Sequence, residues 1–316
     1  MIIVTGGAGF IGSNLIHALN EQGYNNILLV DNLTNGHKMH NIADLTITDY
    51  MDKQDFISRL DEMNFLSNVK AVFHQGACSA TTEWNGHYVM ENNYTYSKRL
   101  LHWCQERNVP FVYASSASVY GMGQHGFAVD RACEKPVNMY AYSKFQFDQY
   151  VRNVLPTSRS QIVGLRYFNV YGAREQHKGS MSSTPYHFNT QLYQSDEVKL
   201  FAGCDGYADG EQERDFVYVD DVVAINLWFL NHPQCSGIFN VGTGKAQTFN
   251  TMAQTVVDWH GRGKISYIPF PDHLRGAYQS YTQADLSTLR AIGCDHQFLD
   301  IKAGVTAYLN RLNQHA

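Results

Sequence analysis

The amino-acid sequence predicts an α/β protein with a doubly wound parallel sheet, followed by a smaller C-terminal α/β part. Three observations support this fold class. Short β-branched runs alternate with helix-period segments through the first half, a glycine-rich loop separates the first run from the first helical segment, and the alternation loosens after about Tyr171. Such alternation is typical of βαβ units, in which helices cover both faces of a parallel sheet. Sheets of this kind bind ligands at the carboxyl ends of their strands.

The individual elements follow from local periodicity. The first half contains predicted strands at Ile2–Thr5, Ile27–Val30, Ala71–His74, Phe111–Ala114 and Ile162–Tyr167, and predicted helices at Phe10–Asn20 and Tyr94–Cys104. A polar stretch follows, then a strand and a helix within Phe216–Leu230 and a last helix near the C-terminus. The acidic, glycine-rich segment Cys204–Glu213 is expected to form a surface loop.

Composition excludes several classes of function. The 24 Lys and Arg residues are outnumbered by 29 Asp and Glu residues, and this net charge of −5 gives no electrostatic attraction to nucleic acid or an anionic membrane. No apolar run is long enough to span a bilayer and the N-terminal segment lacks a basic signal-peptide region, so a cytoplasmic location is expected. The six cysteines lack paired metal-ligand spacing, so we expect reduced thiols and no metal site. Small molecules are the expected partners.

A phosphate-binding loop is predicted directly after the first strand. Gly6, Gly9 and Gly12 precede an amphipathic helix. Without Cβ atoms, such a loop lets a pyrophosphate approach the backbone at the helix N-terminus, where amide groups and the helix dipole favour negative charge. A tight turn without a ligand is the alternative. The order of strand, loop, helix and second strand favours a Rossmann-type dinucleotide site instead.

The end of the second strand bears on the choice of cofactor. Asp31 and Asn32 stand about 20 residues beyond the loop, where a ribose-binding residue is expected. Asp31 alone would favour NAD, because a carboxylate pairs with the ribose 2′-hydroxyl and repels a 2′-phosphate. Lys38 and Lys53 would neutralise such a phosphate if both reach the ribose, although exposed lysines are commonly only solvated. We therefore expect NADP rather than NAD.

Two interleaved domains are expected. Residues 1–170 would form a Rossmann-type NADP-binding domain, to which later segments, about 215–245, return. Residues 171–316 would form mainly a substrate-binding domain.

An acid–base pair is predicted in the segment YAYSK. Tyr140 and Lys144 are four residues apart, so on a helix both side chains lie on one face. A tyrosine keeps its proton up to a pKa of about 10, and a neighbouring ammonium favours the phenolate, which can then take a hydroxyl proton. Lys144 can also hold the nicotinamide ribose, and Ser116, at the end of a strand, would hydrogen-bond the reacting oxygen. A surface tyrosine beside a solvated lysine is the alternative.

Several blocks in order resemble the extended short-chain dehydrogenase/reductase family over nearly the whole chain. They are TGGAGFIG at the start, SSASVYG from Ser115, YAYSK from Tyr140, RYFNVYG from Arg166, RDFVYVDD from Arg214 and FNVG from Phe239. Dehydratases of this family usually carry an Asp-Glu pair where Ser118-Val119 stand here. This departure favours epimerisation without elimination of water.

Within the family, the segments GACSATTEW, YFNVYGAREQHKGSM, IPFPDHLRGAYQ and TQADL resemble the ADP-heptose 6-epimerases. The resemblance implies epimerisation of ADP-D-glycero-β-D-manno-heptose at C6 through hydride transfer to tightly bound NADP and a 6-keto intermediate, as a step of lipopolysaccharide precursor synthesis. The ketone turns its other face to the hydride, so acid–base groups are needed on both sides, and the resemblance assigns them to Tyr140 and Lys178. Without it, Lys178 would be taken for a solvated loop lysine. A homo-oligomer, a pentamer, is also implied.

The resemblance further implies binding residues at matching positions. For the cofactor these are Gly6, Gly9, Phe10, Ile11, Gly12, Asp31, Asn32, Lys38, Lys53, Gln75, Gly76, Ala77, Cys78, Ser79, Asn92, Tyr140, Lys144 and Val170, and for ADP-heptose they are Asn169, Ser180, His187, Phe201, Arg214 and Tyr278. Arg214 has the clearest physical role, because a guanidinium can clamp a diphosphate with two hydrogen bonds. An interdomain salt bridge is its alternative, and His187 and Tyr278 are alternatively half-buried core residues. Two features depart from the subfamily pattern: a longer Cys204–Glu213 segment and glutamine at position 75.

Two other functions stay open at this stage. A UDP-hexose 4-epimerase would use the same tyrosine and glycine loop but rotate a whole sugar ring, and would not need Lys178. A non-catalytic NADP-sensing protein could share the fold, since fold alone does not determine function. The presence of Ser116, Tyr140 and Lys144 argues against the second possibility.

Overall fold

A computed structural model describes residues 1–62, 68–272 and 278–314. The strands among these residues are β1 (Ile2–Thr5), β2 (Ile27–Asp31), β3 (Asp49–Asp52), β4 (Ala71–His74), β5 (Phe111–Ser116), β6 (Ile162–Tyr167), β7 (Asn169–Tyr171), β8 (Glu197–Phe201), β9 (Glu213–Arg214), β10 (Phe216–Tyr218), β11 (Gly237–Val241), β12 (Gln247–Thr248) and β13 (Lys264–Ile268). The α-helices are α1 (Phe10–Glu21), α2 (Lys53–Arg59), α3 (Gly86–Met90), α4 (Tyr96–Glu106), α5 (Met139–Val154), α6 (Thr184–Gln194), α7 (Val219–Asn231), α8 (Phe249–His260), α9 (Ser287–Ala291) and α10 (Ile301–Asn313).

Seven parallel strands form the central sheet, in the order β3-β2-β1-β4-β5-β6-β11. The order reverses between β1 and β4, so the loops after these two strands diverge and open a crevice at the carboxyl edge. The predicted fold class, a doubly wound parallel α/β sheet, is confirmed.

Both faces of the sheet are buried. Ile2 and Val4 pack on one face with Leu15 and Ile16 of α1, whereas Ile3 packs on the other with Leu100 of α4. Successive strand residues point to opposite faces, so a strand covered on both sides is a continuous apolar run. This explains why β1 could be recognised from sequence as an unbroken apolar segment.

A buried polar network ties α5 to the sheet. Asp148 on α5 accepts hydrogen bonds from Tyr113 Oη at 2.8 Å, Ser115 Oγ at 2.9 Å and Arg166 Nε at 2.8 Å. Arg166 is fully buried and also contacts Glu134. Buried charges are tolerated when they are paired and hydrogen-bonded, and removing one partner leaves the other uncompensated. The network therefore fixes the position of α5 against β5 and β6.

The later part of the chain has its own small sheets. Strand β7 pairs with β10 and β8 with β13, in both cases parallel, while β9 and β12 are antiparallel. Helices α6, α8 and α10 share a hydrophobic cluster with these strands. Strand β11 lies in the central sheet and α7 packs on α1. The division into two domains at the boundaries given above stays a prediction.

The expectation of a surface loop at Cys204–Glu213 is wrong in part. Only the middle of the segment is exposed, whereas Cys204 is 8% and Gln212 2% exposed. The Gln212 side chain donates to the Ala202 carbonyl at 3.1 Å and to Cys204 Sγ at 3.4 Å. Both ends of the segment are therefore anchored inward, while exposed residues between them remain at the surface.

All six cysteines are free thiols. Within the described ranges, no helix is long and apolar enough to cross a membrane. Among the same residues, no group of three or more His, Cys, Asp or Glu side chains is arranged to hold a metal ion.

Candidate active site

Two adjoining cavities open at the carboxyl edge of the sheet. The first, of about 530 Å³, lies over the ends of β1, β2, β4 and β5, and the second, of about 630 Å³, lies between β7, α6 and β8. Residues shared by the two walls are Phe168, Val170, Lys178 and Met181. Ligands bound in the two cavities could therefore both contact these four residues.

The glycine loop leaves no room for side chains. Gly6 has a positive φ of 68°, and a Cβ atom there would lie 2.5 Å from the Gly76 nitrogen after β4. A Cβ atom on Gly12 would overlap the Gly6 carbonyl oxygen. Gly9 caps α1 in an extended conformation, without a side-chain hydrogen bond to the first turn. The loop therefore has the form that a dinucleotide pyrophosphate requires, with a helix N-terminus behind it.

A Gly12→Ala substitution is expected to weaken dinucleotide binding at least about tenfold, because the new methyl group displaces the Gly6 carbonyl and the loop with it. Cofactor titration of the purified variant measures this. Gly23→Ala is the control. Gly23 lies beyond the end of α1, has a positive φ of 83°, and a Cβ atom there would meet nothing within 4 Å, so the substitution lowers stability away from the loop. Equal cofactor affinity in both variants would contradict the expectation.

Both carboxylate oxygens of Asp31 accept hydrogen bonds. Its Oδ2 accepts from the Ala8 amide at 2.9 Å, and its Oδ1 accepts from Lys38 Nζ at 2.9 Å and from the Asn32 amide at 2.7 Å. Lys38 also donates to the Asn32 carbonyl at 3.1 Å. Asp31 is only 7% exposed. The lysine thus neutralises the carboxylate at the position where a ribose would bind.

Lys53, the first residue of α2, also points into the first cavity. Its Nζ donates to Asn92 Oδ1 at 2.6 Å, and the Asn92 amide nitrogen donates to the Tyr88 carbonyl at 2.7 Å. Asn92 is positioned by a π-helical turn, Glu91–Thr95, which precedes α4. Lys53 and Asn92 therefore approach the cavity as one hydrogen-bonded pair.

Buried amides hold the segment after β4 in place. Asn93 exchanges two hydrogen bonds with Cys78, accepting from its amide at 2.7 Å and donating to its carbonyl at 2.9 Å. The Gln75 side chain is bound to Asn226 at 3.1 Å and to Tyr167 at 3.0 Å. Glutamine at position 75 is therefore used to join the sheet to α7, and the backbone of this segment borders the cavity.

Tyr140 lies in the first turn of α5. The Asn138 side chain caps this helix by accepting from the Ala141 amide at 2.8 Å. Tyr140 hydrogen-bonds Ser116, whose Oγ also accepts from Ser118 Oγ at 2.9 Å. Burial raises the pKa of Tyr140, and the Ser116 hydrogen bond opposes that rise. Tyr140 and Ser116 thus lie together in the wall of the first cavity.

Lys144 lies one turn further along α5, and its Nζ donates to the Ala114 carbonyl at 2.8 Å. Burial lowers its pKa to about 8, with Asp148 opposing. Burial raises the pKa of Tyr140, and activation of Tyr140 by the Lys144 ammonium stays a prediction. Lys144 and Tyr140 nevertheless border the same cavity.

Lys178 stands at the junction of the two cavities. It lies in a 3-10 helix, Gln176–Met181, with its Nζ 3.9 Å from Glu175 Oε2 and 5.0 Å from the centroid of the Phe10 ring. Its side chain is 26% exposed, and burial lowers its pKa while Glu175 opposes the change. A lysine in this setting is not a fully solvated loop residue, and burial favours its neutral amine over its ammonium form.

The second cavity has one cation surrounded by aromatic rings. Arg214 is 6% exposed, and its guanidinium lies 4.7 Å from the Tyr278 ring centroid and 5.6 Å from that of Phe249. It donates to the Glu213 carbonyl at 3.0 Å. Within the described part of the chain it has no carboxylate partner, so the interdomain salt bridge considered as its alternative is not found there. An unneutralised buried guanidinium suits a bound anion.

Most predicted site residues meet in these two cavities. Every predicted cofactor residue lines the first cavity, as do Ser116 and Lys178. Asn169, His187, Phe201, Arg214 and Tyr278 line the second, whereas Ser180 is exposed and lies outside both linings. Residues 273–277 of the IPFPDHLRGAYQ segment lie outside the described residues. The individual roles stay predictions.

Sequence reasoning missed several lining residues. Phe168, His177 and Met181 border the first cavity, and Gln212 and Phe249 border the second. The first three are immediate neighbours of assigned residues in the segment YFNVYGAREQHKGSM. Proximity to those positions was the available signal.

Comparisons with known proteins agree over nearly the whole chain. A model of the NAD dependent epimerase/dehydratase family matches residues 2–242. A curated ADP-L-glycero-D-manno-heptose-6-epimerase from Alkalilimnicola ehrlichii is 61% identical over 310 residues, covering 98% of this chain and 97% of that protein. The crystal structure of the ADP-L-glycero-D-manno-heptose-6-epimerase of Helicobacter pylori is 32% identical with a TM-score of 0.84, covering 98% of this chain and 95% of that one. The UDP-glucose 4-epimerase of Thermus thermophilus, in complex with NAD, is 25% identical with a TM-score of 0.80, covering 100% of this chain and 99% of that one.

Proposed function

This chain belongs to the NAD dependent epimerase/dehydratase family, and we propose that it converts ADP-D-glycero-β-D-manno-heptose to ADP-L-glycero-β-D-manno-heptose by inversion at C6. The observation that carries the proposal is the position of Lys178, half-buried where the two cavities join, with Tyr140 in the wall of the first. Inversion through a ketone needs an acid–base group on each face of the carbon, and these two residues supply them.

The reaction follows from the chemistry of C6, which carries one hydrogen and one hydroxyl group and is not acidic enough for direct proton removal. A dinucleotide held at the glycine loop and by Lys144 would supply the acceptor of the hydride and, once reduced, its donor. One of Tyr140 and Lys178 takes the hydroxyl proton as the ketone forms. Rotation about the C5–C6 bond then presents the opposite face, and the other residue protonates the oxygen on its new side. Proton exchange with water restores both groups, and because the hydride returns to C6 no cofactor is consumed.

Two residues would orient the reacting oxygen and the cofactor. Ser116 hydrogen-bonds Tyr140 and would share the substrate oxygen with it. Lys144, held by the Ala114 carbonyl, would bind the nicotinamide ribose. These residues border the first cavity together, which supports a dinucleotide there and the sugar at the junction.

The diphosphate of the substrate would occupy the second cavity. Arg214, with no carboxylate partner within the described ranges, would clamp it through its guanidinium. Phe201 and Tyr278 border the same space and would contact the nucleoside, while Asn169 and His187 would lie nearer the sugar. Ser180 is retained as a substrate contact only on the resemblance.

The preferred cofactor is proposed to be NADP, since Lys38 neutralises Asp31 and Lys53 faces the same cavity. We expect Lys38→Ala to weaken NADP binding at least about tenfold, because a charge-assisted contact to the 2′-phosphate is lost. Fluorescence titration of the cofactor-free enzyme measures the affinity. Lys302→Ala on α10 is the control, since Lys302 is exposed and lines neither cavity. Unchanged NADP affinity, or extraction of NAD from the purified protein, would contradict the assignment.

The substrate is tested by incubating the purified protein with ADP-D-glycero-D-manno-heptose, without added cofactor, and following the C6 proton by NMR. Appearance of the L-glycero epimer supports substrate, reaction and retained cofactor together. If neither NADP nor NAD produces any change, the heptose proposal fails and UDP-hexoses become the substrates to test.

The setting of the enzyme is proposed on the resemblance. It would be a cytoplasmic homo-oligomer, a pentamer with one NADP per subunit, acting in lipopolysaccharide precursor synthesis. Light scattering of the purified protein measures the assembly, and any mass other than five subunits would contradict the pentamer.

A further inference from the structure

Glu175 is the one carboxylate among the described residues that lies within ion-pair distance of Lys178. It is fully buried, so its charge is not screened by water. Its Oε2 accepts from the Ser183 amide at 2.6 Å, and its Oε1 accepts from the Ser183 hydroxyl at 2.5 Å. Oε1 also accepts from the Gly172 amide at 3.4 Å.

These hydrogen bonds close a loop around the lysine. Gly172 follows β7 and Ser183 caps α6, so a single carboxylate joins the two ends of the segment that carries Lys178. The Glu175 carbonyl adds two more bonds, accepting from the Lys178 amide at 2.9 Å and the Ser182 hydroxyl at 3.1 Å. The position of the Lys178 backbone therefore depends on Glu175 from both sides.

Resting on the proposed function, we propose that Glu175 is a positioning residue that holds Lys178 at the junction of the two cavities and stabilises its ammonium form. A buried carboxylate at 3.9 Å favours the charged amine, against the desolvation that burial imposes. The enzyme then has a charged acid ready on the side of the carbon that Tyr140 does not serve.

The other charged and titratable groups in this region do not replace Glu175. His177 in the same segment has its pKa lowered by burial, then by Lys38 and Lys178, which favours the neutral ring. A neutral imidazole cannot replace the negative charge of Glu175. Tyr308 of α10 has its pKa raised by burial and then by Glu175, so it stays a neutral phenol. The Phe10 ring on the remaining side offers only a weak cation–π contact.

The protonation of the Lys178 amine can be measured directly, without substrate. Lysines are reductively methylated with 13C, the Lys178 resonance is identified by its loss in Lys178→Arg, and its titration is followed by NMR. In Glu175→Gln we expect the midpoint to fall by at least about one pH unit, and in Glu175→Asp by less, because the negative charge is kept. Glu197→Gln is the matched control, since Glu197 pairs with Lys264 away from both cavities.

An unchanged Lys178 midpoint in Glu175→Gln would overturn the proposal. If that variant does not fold, Glu175→Asp with a midpoint equal to that of the native enzyme would overturn it equally. A second readout is the pH profile of kcat. The limb of that profile that reports Lys178 should move with the NMR midpoint, whereas loss of fold stability alone lowers kcat at all pH values. Absence of heptose turnover in the native enzyme would contradict the proposed function and leave the NMR titration interpretable.

Discussion

Turnover of ADP-heptose by a Tyr140→Phe variant is expected to fall by about 10²–10⁴, the usual contribution of a positioned acid–base group. The substitution removes only the phenolic oxygen, and residue 140 then has no group to exchange a proton with the substrate. Its hydrogen bond with Ser116 is lost as well, but the α5 backbone and the Asn138 cap stay in place. Steady-state kinetics with NMR detection of the epimer measure the effect, and cofactor content is measured in parallel.

Tyr142→Phe is the matched control for this substitution. Tyr142 lies two residues further along α5, is 42% exposed and lines neither cavity. We expect native turnover from it. If Tyr140→Phe also kept native kcat while binding its cofactor, Tyr140 could not be the acid–base group, whatever the substrate.

Lys178→Met is expected to reduce net inversion at C6 by a similar factor, about 10²–10⁴. Methionine keeps most of the side-chain length beside the Phe10 ring but cannot carry a proton. Because Tyr140 is untouched, the epimer that it serves can still be oxidised and reduced again on the same face, which restores that epimer without inversion. The expected signature is therefore loss of the L-glycero product with retained cofactor binding.

Lys264→Met is the control for this substitution. Lys264 is 77% exposed and forms an ion pair with Glu197 away from both cavities, so its substitution should leave turnover unchanged. Native rates of heptose inversion in Lys178→Met would rule out two groups acting on opposite faces. Activity of that variant on a UDP-hexose would instead favour an enzyme that rotates its sugar ring.

Much of the cofactor half could be predicted because its signals are local. The run Ile2–Thr5 is buried on both faces, the three glycines follow it directly, and Tyr140 and Lys144 share a helix face. Strand β3 was not predicted, because Asp49–Asp52 is a polar edge strand whose residues are exposed or half-buried. Its pairing with β2 gives it structure that its side chains do not indicate.

Other features depend on contacts between distant residues. The helix predicted from Tyr94 begins as α4 at Tyr96, because a π-helical turn precedes it and aims Asn92 at the cavity. The setting of Lys178 depends on Glu175, on Phe10 and on the two cavities that meet beside it. None of these contacts has a periodic sequence pattern, so only the family resemblance singled out this lysine.

The pairing of Asp31 with Lys38 has a consequence for how such enzymes diverge. A carboxylate already sits where NAD-binding relatives would accept a ribose hydroxyl, and one lysine masks it. Loss of that lysine would remove an attraction for the 2′-phosphate and at the same time unmask a repulsion. On the proposed preference for NADP, a single codon change at Lys38 would therefore shift the balance toward NAD with no rebuilding of the glycine loop.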